Sequence, residues 1–379
     1  MHIQCTKKLL NKLKKTPEPL VMEENPLFSW HANIITIDRR QIVVLTNDAS
    51  RYTIVLPGLK AKDFANIDKL IIKAIRQVLE SENISKDVIN QYILRAGKTA
   101  FTKTKDRSMV ARLNNACDET WVLAPYLDMT QNVSPEVSKI ISRKLVTNSD
   151  KEYTYPNKDL FAGLEGFIGR SIFSGSAIEI EVSLMLKNHE IWRRLVVPLN
   201  RTFKELHRII QIAFNWVDNH LHEYYILDHT KPNVIEFNPN HPASLMEGYP
   251  PIVNLVCNEE AFHYPMDIKM RLENGINLSD YVPASKVMVY QYDLGDDWRH
   301  KIEVKNIIGD YDNYHPICLD GNGDAPPEDV GGEPGYDEFV EAIADPEHSE
   351  HDHLTEWVKY NFSYRPFDLP EINRRLEDA

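Results

Sequence analysis

Two α+β domains, each a mostly antiparallel or mixed sheet covered by helices, are what this sequence predicts, and three observations carry the expectation. At 379 residues the chain exceeds the size at which a single core usually keeps growing. Its charge is divided: residues 1–150 hold 23 Lys+Arg against 16 Asp+Glu, a net of +7, and the rest holds 20 against 40, a net of −20. In both halves, short β-branched and aromatic runs alternate with apolar stripes at helical spacing. The expected layout is a basic domain over 1–147, a connection over 148–176 and an acidic domain over 177–379.

The N-terminal half opens with a short strand over 3–5. Thr6 is the expected N-cap of a helix over 7–13, whose Leu9, Leu10 and Leu13 share a face. Residues 30–37, 41–46 and 52–56 are strand-forming runs separated by Asp38-Arg39-Arg40 and Asn47-Asp48-Ala49-Ser50, the pattern of an antiparallel meander. Residues 63–79 place Phe64, Ile67, Ile71, Ile75 and Val78 along one stripe, a helix to cover that sheet. Ser85 caps another helix, and Met109, Val110, Leu113 and Ala116 mark a third. His31 beside Trp30 reads as a core histidine. Residues 148–175, with four glycines and no sustained period, read as the inter-domain connection.

In the C-terminal half, residues 178–184 alternate apolar and polar, a half-buried strand with 192–199 as its hairpin partner. Thr202 and Glu205 have capping-box spacing ahead of Leu206, Ile209, Ile210 and Phe214. His220 and His222 would share a face of a strand, and a metal there needs a third ligand from elsewhere. Residues 232–280 are weakly patterned, an excursion with one or two strands. A strand over 286–290 then leads into Tyr290-Gln291-Tyr292-Asp293-Leu294-Gly295-Asp296-Asp297-Trp298-Arg299-His300, a hairpin with carboxylates at its tip. The second acidic feature is Pro326-Pro327-Glu328-Asp329-Val330-Gly331-Gly332. It belongs to a span, 320–356, with thirteen carboxylates and no Lys or Arg. Prolines stiffen that loop, so its charges cannot simply spread apart. Asp368-Leu369-Pro370-Glu371 opens a last helix.

The signatures Ile191-Trp192-Arg193-Arg194, Leu221-His222-Glu223-Tyr224, the hairpin 292–300, the loop 326–332 with Gly335-Tyr336, and Phe367-Asp368-Leu369 occur in the order found in the plasmid pRiA-type ORF-3-like family. The C-terminal half, about 177–379, resembles that family. The resemblance implies a compact α+β domain and an association with plasmids and mobile elements. Family members often carry cysteines where this chain has Ala325 and Val330, which weakens a thiolate-metal site. Residues 1–147 resemble a bacterial domain of unknown function through Cys5-Thr6-Lys7-Lys8-Leu9-Leu10, Trp30-His31-Ala32-Asn33 and Arg112-Leu113-Asn114-Asn115; this implies no chemistry.

Composition narrows the function classes. No run of about eighteen apolar residues exists, so no membrane span is expected. The first residues carry no apolar core, so no secretory signal is expected, and four dispersed cysteines without a CxxC pair point to a reducing cytoplasm. Nucleic-acid contact is conceivable only through the basic half, where Lys7, Lys8, Lys12, Lys14 and Lys15 with residues 102–108 make a phosphate-facing patch. Neither a nucleophile elbow nor a P-loop or dinucleotide fingerprint is present.

Two readings follow. In the first, the chain is an interaction module whose acidic half binds a basic protein partner or docks on its own basic half. In the second, Asp293, Asp296, Asp297, Glu328 and Asp329 hold Mg²⁺ or Mn²⁺ and His300 moves a proton, as in a metal-dependent hydrolase or nuclease. Turn formation alone also explains Gly295, Asp296 and Asp297. Everything in the second reading depends on the hairpin tip and the Pro-Pro-Glu-Asp loop meeting in space.

Overall fold

A computed structural model describes residues 1–19, 25–147, 152–230, 249–264, 267–360 and 364–377. They form two compact units, Met1–Ser174 and Gly175–Ala379, and both are α+β.

The first unit is built on a five-stranded sheet of β1 (His2–Cys5), β2 (Ser29–Ile37), β3 (Arg40–Asn47), β4 (Thr53–Leu59) and β5 (Ala100–Lys103), in the order β4-β3-β2-β1-β5. The meander β2-β3-β4 is antiparallel, as its turns require, whereas β1 runs parallel to both β2 and β5. Seven helices accompany it: α1 (Lys7–Leu13), α2 (Ala61–Ala65), α3 (Ile67–Ser81), α4 (Lys86–Ala96), α5 (Arg107–Val122), α6 (Pro135–Ser142) and α7 (Pro156–Ile168). Oγ1 of Thr6 accepts from the Leu9 amide and Oγ of Ser85 from the Val88 amide, so both expected caps are formed. The stripe on α3 is buried through Ile67, Ile71, Ala74, Ile75, Val78 and Leu79. His31 is a core histidine, 2.6 Å from Asp48. A two-stranded ribbon joins β6 (Val146–Thr147) to β7 (Tyr153–Thr154).

Several features of this unit, α6 and the β6–β7 ribbon among them, go beyond the elements expected from sequence, and two more are instructive. Within the stretch read as a connection, α7 buries Leu160, Phe161 and Leu164, and residues 148–151 lie outside the described residues. Glycines at 163 and 166 blurred its period, although Pro156 in its first turn is an ordinary start signal. Residues 100–103 form β5, hidden beside the polar run that follows them.

The second unit has an eight-stranded sheet in the order β12-β11-β10-β13-β14-β8-β9-β15. Its strands are β8 (Gly175–Leu184), β9 (Ile191–Pro198), β10 (His222–Leu227), β11 (Pro251–Val256), β12 (Met270–Leu272), β13 (Val287–Tyr292), β14 (Trp298–Tyr311) and β15 (Ile317–Asn322). Every pairing is antiparallel except β11 with β12. Alternation divides the faces: Ile178, Ile180, Val182 and Leu184 of β8 enter the core, and Glu181 on the other face meets Arg194 and Lys305 at 3.2 and 3.1 Å. The helices are α8 (Phe203–Ala213), α9 (Gly332–Ala344), α10 (His351–Tyr360) and α11 (Leu369–Leu376). The capping box of α8 is closed: the Glu205 amide donates to Thr202 Oγ1 and the Thr202 amide to Glu205 Oε2. In the weakly patterned stretch β11 and β12 are the strands, and residues 231–248 and 265–266 lie outside the described residues.

Candidate functional site

Three segments of the second unit converge at one end of the sheet: the turn 293–297 between β13 and β14, the loop 324–331 ahead of α9, and residues 214–221 between α8 and β10. Tyr292 pairs with Trp298 in register, leaving Asp293 to Asp297 as the turn, closed by the Asp297 amide donating to the Asp293 carbonyl at 2.7 Å. Asp293 and Asp297 sit at φ 53° and 59°, left-handed positions that aspartate tolerates better than most residues. Oδ1 of Asp293 accepts from the amides of Gly295 and Asp296, so this carboxylate first builds its own turn.

The loop is pinned from several sides. Trp216 Nε1 donates to the Pro326 carbonyl at 2.9 Å, and the Tyr336 hydroxyl donates to the Asp324 carbonyl. Glu328 is only 3% exposed. It accepts from the Tyr292 hydroxyl (2.8 Å), the Val217 amide (2.9 Å) and Asn219 Nδ2 (3.4 Å). Burial, with Glu328 alongside, pushes the Tyr292 hydroxyl pKa well up, so this phenol remains a donor. Asp296 Oδ2 accepts from the Gly331 amide at 3.1 Å. The hairpin tip and the proline-braced loop do meet.

Where they meet, the ligand-type atoms come from a residue set different from the one expected. His220 Nε2 lies 3.3 Å from Asp329 Oδ1 and 3.6 Å from Asp293 Oδ2, and one ligand-type atom from each of the three residues lies within 4.8 Å of the other two. This nitrogen is shielded from solvent and makes no hydrogen bond of ordinary geometry. Atoms about 2.1 Å from a common ion stand roughly 3.0–3.4 Å apart in octahedral or tetrahedral coordination. The 3.3 Å spacing falls in that range and the 3.6 Å spacing just outside it, so a shared divalent cation would draw the Asp293 carboxylate in by a few tenths of an ångström. Asp329 is open to solvent, and Val217 and Leu221 of segment 214–221 and Leu294 of the turn expose apolar side chains.

The expected residues fare differently. Asp293 and Asp329 are at the cluster, Glu328 braces it from within, and Asp296 ties the two loops together. Asp297 is turned to Gln291 and Arg299, accepting from Arg299 Nε at 2.7 Å, and does not join the cluster. The expected role of His300 is corrected. It is fully buried, edge-on to Phe214 and Trp216 and beside Tyr290, and no hydrogen bond links it to the acids. Burial pushes its pKa down to about 3, with the Arg193 guanidinium nearby also opposing protonation. Alternation along β14 decides this: His300 shares the inward face with Trp298 and Ile302.

Sequence reasoning also missed a second imidazole group. His207 on α8 lies between the Tyr290 hydroxyl (2.8 Å) and Asp218 Oδ1 (2.7 Å), and His222 approaches Glu273 Oε2 at 3.1 Å. Their rings stack 3.5 Å apart at 6°. Imidazole lone pairs lie in the ring plane, and two parallel planes never meet. One ion cannot serve both rings, so this group is a hydrogen-bonded brace and not a metal cage. His220 and His222 thus separate, one to each cluster. A His on α8 gave no motif; its only signal was two polar residues, His207 and Gln211, at i, i+4 spacing on a largely apolar helical face.

The chain belongs to the plasmid pRiA4b ORF-3-like protein family, whose model matches residues 176–372. A second family model, a domain of unknown function (DUF6933), matches residues 2–159. The chain is similar to an uncharacterised protein, y4hQ, of Sinorhizobium fredii (strain NBRC 101917 / NGR234), with 29% identity over 206 residues, 54% of this chain and 92% of that protein. It is also similar to a protein of unknown function, MM3350, from Methanosarcina mazei Go1, whose crystal structure aligns with a TM-score of 0.40 and 29% identity over 52% of this chain and 98% of that one. Among the described residues no helix is long and apolar enough to cross a membrane.

Proposed function

We propose that this plasmid pRiA4b ORF-3-like protein is a divalent-cation-dependent hydrolase whose ion is held by His220, Asp293 and Asp329. The observation that carries the reading is the position of His220 Nε2, 3.3 and 3.6 Å from carboxylate oxygens of two other segments. One imidazole and two carboxylates admit Mn²⁺ and Zn²⁺, with Mg²⁺ the weaker fit because it prefers oxygen alone. Three protein ligands leave coordination positions for water on the solvent side, next to exposed Asp329. Water on such an ion loses a proton far more readily than bulk water, which makes it a nucleophile. Val217, Leu221 and Leu294 offer the apolar contact that would seat a substrate.

The test is a thermal-shift series on the full chain with Mn²⁺, Mg²⁺, Ca²⁺ and Zn²⁺, followed by turnover of an activated phosphodiester and an activated carboxylic ester. Mn²⁺ at a hundred times its Kd should stabilise by about 2.7 kcal/mol. His220→Ala should abolish both the shift and the turnover. No shift with any of the four ions would end the proposal.

A second reading has its own observation in the exposed apolar side chains. Exposed Val217, Leu221 and Leu294, on the two segments that carry His220 and Asp293, suit recognition of a protein partner carrying basic and apolar groups. Ion binding without turnover, together with salt-sensitive binding of a basic amphipathic peptide, would favour it over hydrolysis.

A further inference from the structure

The first unit contains a cleft of about 760 Å³ at the carboxyl ends of β1 and β5, a size typical of small-molecule sites. The topology creates it. β1 and β5 are parallel neighbours with Cys5 opposite Lys103, α1 leaves from the end of β1, and the chain then returns beside β5, where the Glu18 amide donates to the Phe101 carbonyl. Crevices beyond the carboxyl ends of parallel strands are where α/β sheets commonly receive ligands.

The lining has two parts. Cys5, Leu10 and Pro17 give an apolar wall, and burial pushes the Cys5 thiol up to about 12, so it is a neutral surface and not a nucleophile. Lys7, Lys14, Lys15 and Lys103 supply four ammonium groups around the mouth, and no carboxylate lines it. Among the described residues none of the four forms an ion pair; Lys15 Nζ instead stands 4.0 Å over the Phe101 ring. Like charges gathered without counter-charges are disfavoured unless an anion offsets them.

We propose that this cleft binds a phosphate ester with a flat apolar body, of the nucleotide class, with phosphate among the lysines and the ring against Leu10 and Pro17. It is a separate site that does not rest on the cation reading of the second unit. Calorimetry on the full chain with inorganic phosphate, AMP, ATP and a ten-nucleotide single strand tests it. AMP or ATP should bind at least tenfold more tightly than inorganic phosphate. The exposed double substitution Lys7→Gln/Lys103→Gln should weaken nucleotide binding at least tenfold without lowering Tm, and Lys15→Arg should retain it. Absence of nucleotide binding, equal binding of inorganic phosphate, or indifference to the double substitution would overturn the proposal. So would a single strand binding far more tightly than ATP, because that is the behaviour of an extended groove for nucleic acid and not of a cleft sized for one nucleotide.

Discussion

The Gly331 amide donates to Oδ2 of Asp296 at 3.1 Å, a hydrogen bond between residues thirty-five apart that fastens the proline-braced loop to the hairpin tip. The next residue makes the contact closer still. A Cβ on Gly332 would stand 2.9 Å from the Asp296 carbonyl oxygen, at a φ of +69° that side chains rarely adopt. Gly332→Ala should therefore cost about 1–3 kcal/mol in urea denaturation and weaken the response to Mn²⁺. An unchanged midpoint and an unchanged ion response would show that the loop is not held this closely.

In the first unit Glu82 is completely buried, accepting from the Tyr52 hydroxyl at 2.6 Å and from both terminal nitrogens of Arg143 at 2.9 and 2.7 Å. Removing Arg143 alone, as Arg143→Met, takes away both guanidinium hydrogen bonds and leaves the buried carboxylate only the weaker influences of Lys139 and Tyr52, and should cost about 3 kcal/mol. The double variant Glu82→Gln/Arg143→Met should recover much of that loss, a coupling that a double-mutant cycle measures directly.

The same carboxylate predicts acid sensitivity. Burial by itself would raise its pKa, but Arg143, followed by Lys139 and Tyr52, holds it below the usual value. The unfolded chain then takes up the proton first. The contribution of Glu82 is complete above the unfolded pKa of about 4.3 and is lost as pH falls through the folded value. Urea melts between pH 6 and 3 should fall more steeply for the native chain than for the double variant.

His300 behaves with the same sign over a higher range. Its folded pKa of about 3 lies below the unfolded value near 6.5, so the stability of the neutral ring is complete above pH 6.5 and drains away toward pH 3. His300→Phe should be within about 1 kcal/mol of the native chain at pH 8, since its neighbours are Phe214, Trp216 and Tyr290, and should flatten the acid slope. If the ring instead moved a proton in catalysis, this variant would lose turnover; full retention is expected.

Arg193 is fully buried between the rings of Phe214 and Phe367, and donates to the carbonyls of Ala213, Trp192, Asn322 and Gly323. Burial pushes its pKa down to about 10, still leaving it charged at neutral pH. Lysine has neither the planar fork nor the reach to serve four carbonyls. Arg193→Lys should cost about 2–4 kcal/mol, read as a lower urea midpoint at unchanged slope.

Local chemistry was legible from residues alone. Thr6, Ser85 and the Thr202–Glu205 pair marked helix starts because a cap is a contact among neighbours in sequence, and the stripe of α3 was visible because its period is its own. Residues 290–300 read as a hairpin for the same reason, since strand, turn and strand are contiguous. What adjacent residues could not reveal was hidden where a short element borrows its stability from elsewhere, as β5 does from β1, or where glycines blur the period, as in α7.

The acids of the candidate site were visible as a charge pattern, and two of them, Asp293 and Asp329, reach one point. Which partner they meet was settled by pairing across the sheet. Inward-facing alternation on β14 sends His300 into an aromatic core, while the chain after α8 brings His220 to the carboxylates. Sequence by itself determined periods, caps and turns, because these depend on spacing along the backbone. Only the tertiary structure decided which imidazole stands beside which carboxylate, because that depends on register and on distance through space.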